Sequence, residues 1–145
     1  MSPSTCIEIQ PQLALRPAPL CLLTVGVGET DHSELVRFLK EPECSLYRAS
    51  ARRDALPKVV GFCPDVVICE QSLPDGTWQD LLGDLQCFSR APMLIVCSLL
   101  ADDRLWAEVL NIGGYDVLMK PFRPVEVIRV VRMAARQVRW KRQSA

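Results

Sequence analysis

From Leu20 onward, short apolar runs alternate with longer stretches in which apolar residues recur every third or fourth position. Leu20 to Val25, Ser45 to Ala49, Pro64 to Glu70, Pro92 to Cys97 and Tyr115 to Met119 read as strands: each is short, largely apolar and bounded by turn signals. Between them lie helical patterns. Asp31 reads as the cap of a first helix, with Glu34 as its capping-box partner and Leu35, Val36, Phe38 and Leu39 as its apolar face. Asp54 to Val60 predicts a short second helix with Pro57 in its first turn. Thr77 opens a third, carrying Leu81, Leu82 and Leu85 toward the core. Asp102 caps a fourth, bearing Leu105, Val109 and Ile112, and Gly113-Gly114 stops it. Pro124 begins the last helix, which runs to about Lys141.

Five strands alternating with five helices specify an α/β fold, a doubly wound parallel sheet. Right-handed crossovers and short loops favour the flavodoxin-like strand order 2-1-3-4-5, with helices on both faces. The expected organisation is an irregular, proline-bearing extension over residues 1–19, one domain over 20–141 and a short tail over 142–145. At 145 residues the chain is long enough for a real core.

Composition narrows the function classes. Formal net charge is zero, so no bulk field draws nucleic acid or membrane. No apolar run approaches ~20 residues, and the amino terminus lacks the basic and apolar regions of a secretory signal, so a cytoplasmic protein is expected. Seven cysteines, with no Cys-x-x-Cys pair, read as small buried hydrophobes of a reducing compartment. A single histidine, His32, argues against a zinc site, and it reads as a surface residue of a helix's first turn. Gly26-Val27-Gly28 is too short for a dinucleotide loop. No catalytic residue, metal or cofactor is expected.

Glu70 is the most telling residue. It ends the run Pro64-Asp65-Val66-Val67-Ile68-Cys69 and stands four residues before Pro74-Asp75-Gly76, a turn. Its carboxylate should therefore stand at the carboxyl end of a central strand, where open α/β sheets place ligands. Three segments in this order, PDVVICEQSLPDG, PMLIVCS and GGYDVLMKPF, make the chain from about Leu20 to Arg139 resemble the receiver domain of two-component response regulators.

The resemblance implies a phosphoacceptor at the end of the third strand, and Glu70 fills that place instead of aspartate. It implies a Mg²⁺ held by two acids after the first strand, where this chain has Gly26-Val27-Gly28. It implies switch residues at Cys97, beside Ser98, and at Val117, where the family carries a hydroxyl and an aromatic ring. The Lys-Pro-aromatic signature survives as Lys120-Pro121-Phe122, with Pro121 a candidate for a cis peptide. Phosphoryl transfer is mostly positioning and charge neutralisation, and Mg²⁺ needs carboxylate oxygens in octahedral geometry. Glu70 alone cannot assemble that site, Asp75 is expected to point to water, and a displacement of about 1 Å can cost roughly 100-fold. A degenerate, phosphorylation-independent receiver is therefore expected, with Lys120 reaching across to pair with Glu70. Two alternatives are phosphorylation by an altered route and a thiol sensor at Cys69 or Cys97.

On the last helix Arg129, Arg132, Arg136 and Arg139 form one basic stripe, Val130, Met133 and Trp140 add apolar surface beside it, and Val127, Val131, Ala134 and Val138 face the core. Such a mixture suits a protein interface. The resemblance implies a partner or homodimer surface on the fourth helix, fifth strand and fifth helix. A histidine kinase or another regulator is the leading partner, and neither membrane nor nucleic acid is expected.

Overall fold

The computed structural model describes residues 19–40 and 44–144. Apart from Pro19, the expected amino-terminal extension lies outside the described residues. The elements in chain order are β1 (Leu20–Val25), α1 (Glu29–Phe38), β2 (Cys44–Ala49), α2 (Arg52–Phe62), β3 (Val66–Glu70), β4 (Ser72–Leu73), β5 (Gly76–Thr77), α3 (Trp78–Gln86), β6 (Met93–Ser98), α4 (Asp103–Ile112), β7 (Asp116–Met119) and α5 (Pro124–Ser144).

β2, β1, β3, β6 and β7 form one parallel sheet in that order. With the small antiparallel β4–β5 ribbon set aside, this is the expected 2-1-3-4-5 order. The two-fold period of the strands splits the core into two layers. Leu23, Val25, Val67, Cys69, Leu94, Val96 and Val117 pack against Ala55, Val59, Leu81, Leu85, Leu105 and Val109 of α2, α3 and α4. On the other face Leu22, Val66, Ile68, Ile95, Cys97 and Leu118 pack against Leu35 of α1 and Val127, Val131 and Ala134 of α5. Buried on both faces, the central strands are near-continuous apolar runs, as a parallel sheet requires.

Several helix boundaries differ from the sequence reading, each for a tertiary reason. α1 starts at Glu29 with Gly28 as its cap and no side-chain cap, so Asp31 lies inside the first turn and Glu34 pairs with Arg37 instead. Val36 of α1 and Ile112 of α4 are exposed, not core-facing. α2 begins at Arg52, which leaves Pro57 beyond its first turn. The cap comes from another element: the Asp75 carboxylate accepts from the Arg52 and Arg53 backbone N–H groups at 2.9 and 3.1 Å. Asp75 is thus not turned to water, and these bonds hold its carboxyl below the ordinary range despite an opposing contribution from burial. Thr77 precedes α3 as expected and forms a full capping box with Asp80, a pairing the sequence reading did not name; Asp102 caps α4 through Leu105 N–H at 2.9 Å, as expected.

α5 continues to Ser144, so Arg142 is helical and not part of a tail. The reason lies at the amino edge of the sheet, where the buried Asp65 carboxylate accepts from the Cys21 backbone N–H at 3.0 Å. It also accepts from Arg139 Nη2 at 3.0 Å and Arg142 Nη1 at 3.1 Å. Arg142 Nη2 further donates to the Pro64 and Arg90 carbonyls, each at 2.9 Å. Asp65 thereby ties β1, the start of β3 and the end of α5 together.

Candidate functional site

The register sets the site. Glu70 stands at the carboxyl end of β3, directly opposite Cys97 on β6, and Lys120 follows β7 with its N–H donating to the Ser98 carbonyl at 3.1 Å. The Lys120-Pro121 peptide is cis, as the signature led one to expect. The Lys120 ammonium reaches back across the sheet edge and donates to Glu70 Oε1. It donates as well to Asp31 Oδ2 at 2.9 Å. All three side chains are mostly shielded, Lys120 most of all at 12% exposure.

Asp31 is the site residue that sequence reasoning missed. Its local pattern is that of a capping box, which points its carboxylate at its own helix. A first-turn position on the helix that leaves the carboxyl edge of β1 was the available signal, because such a side chain overlooks the same edge as Glu70. Burial opposes the ammonium form of Lys120, but the bonds to Glu70 and Asp31 outweigh it, so the pKa lies above the ordinary lysine value. Lys120 is therefore a permanent cation at neutral pH, with two anions as partners.

The neighbouring positions are filled by apolar or spent groups. Gly26 adopts a left-handed φ of +69°, and a Cβ there would lie 2.5 Å from Leu73 Cδ2. Leu73 therefore packs over the position that the resemblance assigns to a metal-binding acid. Cys97 is buried, and its Sγ donates to the Cys69 carbonyl at 3.4 Å. Burial pushes the Cys69 and Cys97 thiols well up, with Glu70 adding in the same direction, which disfavours a reactive thiolate. Ser98 is engaged in the loop: its Oγ donates to Gln71 Oε1 and accepts from the Leu100 N–H, each at 3.0 Å. Val117 is buried within β7, beside Asp116, whose Oδ1 receives the Trp106 indole N–H at 3.1 Å. His32 is half-buried and bonded to Thr24 Oγ1 at 2.8 Å, not a free surface group; burial and then the Arg48 charge lower its pKa.

No family model matches the sequence. The chemotaxis protein CheY of Thermotoga maritima is 24% identical over 88 residues, which cover 61% of this chain and 73% of that protein. The transcriptional regulatory protein KdpE of Mycobacterium tuberculosis is 36% identical over 89 residues, covering 61% of this chain but 39% of KdpE. Among solved structures, the signal receiver domain of an HD domain-containing protein from Pseudomonas fluorescens superimposes with a TM-score of 0.77 at 23% identity, covering 90% of this chain and 96% of that one. The described residues have the fold of CheY-like response regulator receiver domains.

The residues at this strand edge do not fit the Mg²⁺ that the resemblance implies. The ammonium of Lys120 already bridges Glu70 and Asp31, Leu73 covers Gly26, and among the described residues no group of three His, Cys, Asp or Glu side chains converges on a metal position. What the arrangement does chemically is neutralise a carboxylate pair and join α1, β3 and the segment after β7.

The interface candidates divide. Arg129, Arg132 and Arg136 are exposed on α5, with Met133 and Trp140 at 47% and 67% exposure. Arg139 belongs instead to the Asp65 cluster, and Val130 is buried. α4 and α5 both pack on β7, and exposed Trp106, Leu110, Met119 and Val125 add apolar surface to those elements. Among the described residues no helix is long and apolar enough to cross a membrane.

Proposed function

We propose that this receiver domain is a phosphorylation-independent signalling module of a two-component or phosphorelay pathway, working in the cytoplasm by binding a protein partner and without enzymatic turnover. The observation that carries the reading is the Lys120 ammonium held between Glu70 and Asp31. In that arrangement the acceptor carboxylate is already paired with the lysine that would otherwise contact a phosphoryl group. The domain is held in one conformation by internal charge pairing, and its output face needs no covalent trigger.

The partner, a histidine kinase or another regulator, docks on α4, β7 and α5. Trp106 and Met119 supply the apolar centre, and Arg129, Arg132 and Arg136 supply a rim complementary to acid, the usual division of an interface. A homodimer through the same face is the second form of this reading. The test is capture of partners from the native cell by the wild-type domain and by the variants Trp106→Ala/Met119→Lys and Arg132→Glu/Arg136→Glu. Capture is expected to fall at least tenfold in both variants and to be the same with or without acetyl phosphate. A partner retained only after phosphodonor treatment contradicts the proposal.

A further inference from the structure

A second feature at the carboxyl edge of the sheet is independent of the Lys120 cluster. An open cleft of about 540 Å³ lies between the end of β2 and the first half of α2, lined by Arg48, Ser50, Arg53, Asp54, Pro57 and Lys58. Its lining brings together three cations and one carboxylate. Among the described residues none of the three cations forms an ion pair. The contrast with Arg52 is informative: its guanidinium is clamped by both Asp84 oxygens, at 2.9 and 3.1 Å, and by the Asp75 carbonyl at 2.9 Å. Acidic partners are thus available beside the cleft, yet they are spent on Arg52 and on the α2 amino terminus.

Two of the cleft cations are nevertheless held in place. Lys58 Nζ donates to the Arg48 carbonyl, and Arg48 Nη2 donates to the Val27 carbonyl at 3.4 Å. Bonds to neutral carbonyls orient a cation without cancelling its charge. Guanidinium forks match phosphate oxygens, and an ammonium adds a point charge. The Ser50 hydroxyl supplies a neutral donor to the same cleft. The volume falls in the usual range of small-ligand sites, about 300–1,000 Å³.

We propose that this cleft binds a small phosphate-rich anion, of pyrophosphate to nucleotide size, through Arg48, Arg53 and Lys58. The test is titration of the full chain with pyrophosphate and, separately, with ATP, followed by amide NMR at fixed ionic strength, with sulfate as the comparison anion. The expected result is a saturable shift centred on residues 48–58 that is stronger than the response to sulfate. It weakens at least tenfold in Arg53→Gln/Lys58→Gln and is unchanged in Arg132→Gln/Arg136→Gln. Binding by both probes assigns recognition to the phosphates alone, and binding by ATP only assigns it to a nucleotide; either supports the proposal. No saturable shift, a response equal to that for sulfate, shifts centred on α5, or full binding by Arg53→Gln/Lys58→Gln overturns it. Arg48→Gln serves as a second variant should the double substitution perturb α2, as judged by circular dichroism.

Discussion

Asp65→Ala is expected to remove about 3–5 kcal/mol of stability, the usual cost of deleting one partner from a buried ion pair. The Asp65 side chain is 7% exposed and that of Arg142 10%. With the carboxylate gone, the Arg142 guanidinium stays buried with no counter-ion, and its Nε, which already lacks a hydrogen-bond partner, has no compensation. The Cys21 N–H loses its acceptor too, leaving the start of β1 with an unsatisfied donor. Arg139 is better solvated and recovers part of its hydration, so its share of the loss is smaller. Against a total stability of about 5–15 kcal/mol for an ordinary domain, the loss is large enough to unfold a sizeable fraction of molecules near body temperature. Urea unfolding monitored by circular dichroism measures it. A loss below about 1 kcal/mol would mean that α5 is held by its apolar face alone and that Asp65 is not the tie described here.

Lys120→Met is expected to have the second largest effect, about 1–3 kcal/mol at neutral pH, because it strands two carboxylates in a shielded site. The substitution keeps the alkyl length, so packing changes little and the charge effect is isolated. Glu70 and Asp31 then repel with no cation between them. Adding Glu70→Gln should restore part of the loss, since it removes one of the two stranded charges. The folded-state pKa of Lys120 lies above its unfolded value of about 10.4, so its contribution is fully present below that pH and is lost as the pH rises through the folded value. The variant should lack that alkaline decline. Equal stability of variant and parent across the pH range would remove the ion pair from the account.

The fold was largely legible in the sequence because a parallel sheet buried on both faces demands unbroken apolar strands. Val66 to Cys69 and Leu94 to Cys97 meet that demand with hardly a polar interruption. The places of Glu70 and Lys120 were legible for the same reason, since strand ends fix where both stand. Their contact was within reach of the sequence, whereas Asp31 offered only its first-turn position on the helix after β1 as a signal. Asp31 and Lys120 are 89 residues apart, and nothing local distinguishes a carboxylate that caps its own helix from one captured by a distant ammonium. Asp75 misled in the same way, as a turn residue that caps a helix beginning 23 positions earlier. The β4–β5 ribbon has two-residue strands, too short to carry any periodicity. The extension of α5 to Ser144 depends on Arg142 finding Asp65, again a contact without a local signature.

These cases share one physical feature: charged side chains settle on partners chosen by the assembled fold, while apolar side chains are placed by period alone. The same feature separates this chain from the receivers it resembles. Glu70 and Lys120 are each other's partners, and Leu73 covers Gly26.

The most direct test of that claim is incubation of the purified domain with acetyl phosphate and Mg²⁺, followed by intact mass measurement. The account predicts an unchanged mass, both for the wild-type chain and for Glu70→Gln. A gain of one phosphoryl group in the wild type that disappears in Glu70→Gln would contradict it.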